Sequence, residues 1–318
     1  TLAAYGMVGK KRWGFCGDDY KDCMSNAADR WQDVQVAAEE AYDRSSNCNF
    51  TSFIGYEWTG TIGAGQNLHH NVIFRNEQVP DRALSWIETP SQTYLWDYFE
   101  KECQANKPGC DAISIPHNSN LSGGIMFETA RIENESIPTE PVTNEEAERR
   151  AHWNPLFEVM QHKGSSECDS RTNTWAADEY CNFEKLGYDS FGGKNTGIAA
   201  NGNMDWLRIF VDDALLTETR LPDESNFLRY ALKKGLKQEA EFGANAFKYG
   251  LISSTDTHIA APGLVMEKNH PGHGGAGISS RDGIRVGLPD EIEYNPGNLT
   301  LPRTGIECMS KKGSNSGS

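Results

Sequence analysis

Basic side chains are in short supply. Lys and Arg total 30 against 45 Asp and Glu, which leaves a formal net charge of −15. A protein that coats nucleic acid needs a basic face to displace phosphate counterions, so that class is excluded. Docking on an anionic membrane surface needs the same face and is excluded with it. Long apolar runs are missing too, and no stretch approaches the roughly 20 residues that span a bilayer. The chain has no G-x-S-x-G elbow, no Walker A loop and no H-E-x-x-H, so nucleophilic serine catalysis is unsupported. No C-x-x-C occurs, which removes the usual structural-zinc and thioredoxin-like signals. What remains is a chain built to fold. It is 37% hydrophobic with 8 Trp and 13 Phe, too rich for disorder. Its 318 residues suit two average domains or one large α/β barrel.

There are 8 cysteines. Cys16 and Cys23 are close in sequence, as are Cys103 and Cys110, while Cys168 and Cys181 flank a polar loop. Cys48 and Cys308 are left over, each able to pair with another half. The polar, loop-like setting (Lys107-Pro108-Gly109-Cys110) favours local disulfides over buried thiols. We therefore expect Cys103–Cys110 and Cys168–Cys181 bridges and a periplasmic or secreted location.

Periodicity predicts a helix over 25–44, with Trp31, Val34 and Ala38 at helical spacing, and strands over 50–58 and 71–75 around a Gly-containing loop, 59–68. Ser91 is placed to cap a helix to about Gln104, and 112–115 reads as a strand stopped by Pro116. Thr143-x-x-Glu146 has the form of a capping box. A strand over 156–161, a polar excursion over 168–194, a helix over 223–242 and a strand over 249–253 follow. In that last helix Phe227, Tyr230, Ala231 and Leu236 fall broadly along one face. Strands followed by helices predict parallel β/α units in one domain over residues 1–304, with a flexible tail over 305–318.

The polar chemistry gathers where predicted strands end. Asp256-Thr257-His258 offers a hard oxygen and an imidazole from one turn, suited to Zn, Mn or Fe. Standing alone, the same pattern describes a turn Asp beside a surface His. His117 follows a strand and a proline. Asn118 and Asn120 beside it are neutral donors suited to a phosphate or carboxylate oxygen, or members of an Asn-rich turn. Glu57 stands among aromatics, where it either meets a cation or faces outward from an edge strand. His69 and His70 are adjacent, and alternate strand residues face opposite ways, so one metal cannot take both without a bulge. Glu158, Lys163 and Glu167 leave a strand for a polar turn, where they relay protons or bind substrate, or else form a solvated edge. His270-Pro271-Gly272-His273 reads as a mobile loop.

The ordered set Gly55-Tyr56-Glu57-Trp58-Thr59, Asn67 to Arg75, Ile115 to Ser122, Gln161 to Glu167 and Ser254 to His258 resembles the domain of unknown function 3604 family, a relative of the polymerase-and-histidinol-phosphatase (PHP) hydrolases. The resemblance spans roughly residues 30–290. It implies a distorted TIM-like (β/α)7 barrel with a two- or three-metal site, and hydrolysis of a phosphoester by metal-bound hydroxide. By motif order it implies Glu57, His69, His117, Asp256 and His258 as ligands of divalent Zn, Mn or Fe. Beside these ligands, the residues themselves offer Glu158, Lys163 and Glu167 as the proton carriers, and Asn118, Asn120 and Arg75 as contacts to a small anionic substrate. The paired cysteines match exported members. The wider superfamily opens on a His-x-His strand, and none occurs here. We therefore expect an N-terminally truncated barrel with weakened metal binding and activity. A non-catalytic exported metal- or anion-binding protein and an amidohydrolase-like enzyme are the competing functions.

Overall fold

The computed structural model describes residues 14–62, 66–89, 91–120, 122, 124–128, 143–161, 164–170, 177–182, 224–254 and 256. The chain divides into two compact units, residues 1–158 with 223–251, and residues 159–222 with 252–318.

The first unit opens with helix α1 (Lys21–Ala41), whose start is tied by a Cys16–Cys23 disulfide with Cα atoms 4.9 Å apart. It begins four residues before the predicted Ser25. Trp31 and Ala38, two turns apart, are buried, but Val34 is 40% exposed. At 100° per residue Val34 falls about 60° round the helix from Trp31, at the margin of a narrow stripe. Four strands follow: β1 (Gly55–Trp58), the short β2 (Thr61–Ile62) and β3 (Gln66–Asn67), and β4 (His70–Phe74). Residues 50–54 were expected in the first strand. The β1 ladder begins at Gly55, with Ile54 O just before it accepting from the Phe74 amide at 2.9 Å, and Phe50 and Phe53 face solvent. Helix α2 (Gln92–Tyr98) continues as a π-helical turn over Phe99–Ala105. Ser91 holds the N-cap position without a side-chain capping bond; its hydroxyl lies 2.7 Å from that of Thr93. The turn ends in the expected Cys103–Cys110 disulfide, Cα atoms 5.1 Å apart, well inside the limit for a bridge.

Strand β5 (Ala112–Pro116) completes a sheet of order β1-β4-β5. Both pairings are antiparallel, with Glu57 opposite Asn71 and His70 opposite Pro116. The parallel units expected from the sequence do not describe this sheet. One face carries Trp58, His70, Val72, Phe74 and Ser114, all buried. On that side the rings of Trp31, Phe74, Phe99 and Trp153 run in a chain, with successive centroids 5.9, 6.2 and 5.3 Å apart. Burying each such ring contributes on the order of 2–3 kcal/mol.

Helix α3 (Asn144–Trp153) starts at the Thr143 cap, whose hydroxyl accepts from the Glu146 amide at 3.1 Å. Its Arg149 binds Asp97 and Glu100. Helix α4 (Leu228–Phe242) buries Leu228, Ala231, Gly235 and Gln238 and ends at Gly243 with φ 85°. Leu236 is exposed, because the buried stripe runs through Gly235, where a side chain would collide with Asn245. A second aromatic cluster joins Phe127 to Phe157 and Phe247, centroids 5.3 and 5.8 Å away.

Strand β6 (Leu156–Gln161) begins where predicted and lies between β7 (Gly164–Ser165) and β8 (Gly250–Ser253) in the order β7-β6-β8. In the first unit the Gly250 amide donates to Pro155 O; in the second, Ser254 donates to Met160 O. The register advances the same way on both strands, which is a parallel pairing with α4 preceding β8. The β6–β7 pairing is antiparallel. The second unit also holds the expected Cys168–Cys181 disulfide, Cα atoms 5.5 Å apart. Among the described residues Cys48 is the free, exposed cysteine, and Cys308 and the predicted tail lie outside them.

Candidate functional site

The site is built by the register of the antiparallel sheet. Glu57 lies opposite Asn71, so the two share a face, and His69, two residues before Asn71, shares it as well. The β4–β5 register continues one step beyond Pro116: the His117 amide donates to His69 O at 3.2 Å, which sets the two histidines directly opposite each other. The result is a cluster at one end of the sheet. His69 Nδ1 is 2.7 Å from Glu57 Oε1, and the His69 and His117 rings are 4.6 Å apart between centroids. Thr59, two residues along from Glu57, donates its hydroxyl to Glu57 Oε1 at 3.2 Å.

Gly60 permits this return of the chain. Its carbonyl accepts the Leu68 amide at 2.8 Å. A side chain there would meet Leu68 O at 2.6 Å and the Trp58 ring. Leu68, fully buried, anchors the residue before His69. His70 points the other way. Its ring packs edge-on against Trp58, centroids 5.7 Å apart, and Nδ1 lies 3.1 Å from Leu68 O. Burial pushes its pKa down to about 3, so it is a neutral core residue.

The loop leaving β5 carries the remaining polar groups. His117 Nδ1 lies 2.8 Å from Asn118 O, so this nitrogen holds the proton and Nε2 carries the ring's lone pair. The Asn118 amide donates to Glu158 Oε2 at 3.2 Å, and Asn118 Nδ2 donates to Asn120 Oδ1. His117, Asn118, Asn120 and Glu158 are all buried. An acidic side chain at 1% exposure requires partners for its charge, and the loop amide is one.

The structure therefore brings together Glu57, His69, His117, Asn118, Asn120 and Glu158. It does not bring Arg75 to them. Arg75 follows β4 at the far end from His69, about 20 Å along an extended strand. Its side chain is 78% exposed and faces Asp111 at 3.4 Å. Glu167 is exposed in the second unit, its amide bonded to Ser165 Oγ. Asp256, also in the second unit, is half-buried with φ 51°, a left-handed conformation that Asp tolerates better than most residues. Lys163 and His258 lie outside the described residues. Thr59 was missed, although its position two residues beyond Glu57 was a usable signal.

One carboxylate and two imidazoles form a donor set that suits Zn, Mn or Fe. The chemistry of the donors fits a divalent cation. Among the described residues, however, no group of three or more His, Cys, Asp or Glu is already gathered around one ion position. The described helices include none long and apolar enough to cross a membrane.

A family model described as "Protein of unknown function (DUF3604)" matches residues 5–296. No curated protein and no solved structure shows significant similarity to the chain.

Proposed function

The chain belongs to the DUF3604 family, and from that premise we propose that it is a metal-dependent hydrolase related to the PHP enzymes, acting on a small anionic substrate, a phosphoester. The observation that carries the proposal is the convergence of Glu57, His69 and His117 at one sheet end, with His117 Nδ1 already engaged by a carbonyl. That engagement fixes the ring and its tautomer, as ligand imidazoles require. In this reading Glu57, His69 and His117 hold divalent Zn, Mn or Fe. When bound, the cation would act as a Lewis acid toward a phosphoryl oxygen and lower the pKa of water.

The chain's own residues do the rest. Thr59 holds the Glu57 carboxylate in place. Asn118 and Asn120 present carboxamides beside His117, donors that bind an anionic oxygen without adding charge. Glu158, buried and bonded to the Asn118 amide, is the proton carrier of this reading. The fold that accompanies this reading is a distorted (β/α)7 barrel, supported by the parallel β6 and β8 pairing with α4 preceding β8. Three disulfides suit an oxidising compartment, and we place the protein in the periplasm or outside the cell.

The test uses the full chain, stripped of metal and reloaded with Zn2+ or Mn2+, assayed on p-nitrophenyl phosphate with metal content measured in parallel. Glu57→Gln and His117→Ala should each lose bound metal and at least about 10-fold in turnover. Turnover that persists without metal, or variants that retain both metal and turnover, would reject the proposal.

A further inference from the structure

The loop that carries His117 and Asn118 is gripped from a distant part of the chain. Asn226 ends a short 3-10 turn (Glu224–Asn226) just before α4 and is buried. Its backbone carbonyl accepts from Ser119 Oγ. Its side-chain Oδ1 accepts from the Gly124 amide and from Ser122 Oγ, the latter at 3.4 Å. One residue thus holds the loop at three points. Gly124 shows how closely the two segments meet. It sits at φ 84°, and a side chain there would run into Ser225 Oγ. Beyond it, Arg150 binds the carbonyls of Met126 and Glu128, and Lys234 binds that of Phe127.

These bonds reach the site through the peptide that follows Asn118. The imidazole is bonded to Asn118 O, so its direction follows that peptide. Glu158 holds the amide of the same residue, and Asn226 holds Ser119, Ser122 and Gly124. Neither group alone fixes the loop: a single amide bond leaves it free to pivot, and the Asn226 bonds remove the pivot.

We propose that Asn226 is a positioning residue that sets the direction of the His117 imidazole toward a bound cation. The inference rests on the reading of Glu57, His69 and His117 as cation donors. The experiment titrates the metal-free full chain with Co2+ alone, following its visible absorption, and records thermal unfolding of each variant. Asn226→Ala should weaken Co2+ binding about 10-fold and alter the absorption band, as loss of a group that orients a ligand does. Asn226→Asp keeps an oxygen acceptor and should stay within about threefold of the parent. Arg149→Ala, which breaks the unrelated contacts to Asp97 and Glu100, should lower the unfolding midpoint and leave the Co2+ spectrum unchanged. His117→Ala should lose binding. If Asn226→Ala does not fold, Ser119→Ala removes one bond of the three and should weaken Co2+ by about threefold; parent-like binding by it then overturns the proposal. Asn226→Ala with parent-like affinity and spectrum, while His117→Ala fails to bind, overturns the positioning role and leaves the metal reading intact. Arg149→Ala weakening Co2+ as much as Asn226→Ala overturns it as well, since general destabilisation then explains the loss. His117→Ala binding like the parent overturns the metal reading itself.

Discussion

Acid should unfold this protein partly through one histidine. His70 is fully buried behind the site, and its pKa lies at about 3 against an ordinary 6.5. Between those values the unfolded chain holds one proton more than the folded chain, so stability rises with pH across that window. Equivalently, the contribution is complete above pH 6.5 and is lost as pH falls. Each unit is worth about 1.4 kcal/mol, which gives a loss of about 2 kcal/mol at pH 5 and about 4 kcal/mol at pH 3. His70→Asn keeps an N–H donor for Leu68 O but does not titrate. The smaller side chain leaves a gap beside Trp58, so the variant is less stable at neutral pH. The diagnostic is the slope, not the level. Urea unfolding of parent and variant, followed by tryptophan fluorescence from pH 5 to 8, should show the stability difference narrowing by about 2 kcal/mol at the acid end. Carboxylates that titrate in both proteins cancel in the difference. A difference that stays constant across that range refutes the assignment of a neutral, buried His70.

Three further outcomes follow from the geometry. The Cys103–Cys110 bridge closes a short ring, and Cys103→Ser with Cys110→Ser should cost about 2.5 kcal/mol by chain entropy, or roughly 5–10 °C in a calorimetric midpoint; an unchanged midpoint contradicts this. Glu158→Ala removes the acceptor of the Asn118 amide and should cost about 1–3 kcal/mol in urea unfolding, whereas Glu158→Gln retains an oxygen and should cost less. Equal losses from the two variants would show that charge, not the hydrogen bond, matters there. Gly124→Ala should destabilise by about 1–3 kcal/mol, because it combines a positive φ with the Ser225 contact; a neutral result in the same assay would show that the loop shifts freely.

The parts of the site that the sequence disclosed are those governed by local rules. Alternation along one strand required His69 and His70 to part company, and they do. Glu57 and His117 stood out because each is polar at the end of an apolar strand. Arg75 misled because nearness in sequence on an extended strand becomes distance in space. The antiparallel pairing of β1 and β4 was available in the shortness of the loop 59–68. A connection that short cannot make the crossover a parallel pair needs. Leu236 and Val34 were misassigned because a helical stripe is narrow, and glycine or alanine can carry it as well as a large side chain. Asn226 left no local trace at all. Its meaning lies in bonds to residues more than 100 positions away, and no short pattern encodes them.

The grip of Asn226 on the Ser119–Gly124 loop also dictates an order of assembly. Joining Ser119 to Asn226 closes a span of 107 residues, at an entropic cost of about 4 kcal/mol before any contact returns it. The β1-β4 hairpin and the ring closed by Cys103 and Cys110 need far shorter closures and form ahead of it. The His117 loop therefore takes its final shape only once the turn before α4 has arrived. A chain made N-terminus first carries Glu57 and His69 early, but the His117 loop is not held until the turn at Asn226 has docked.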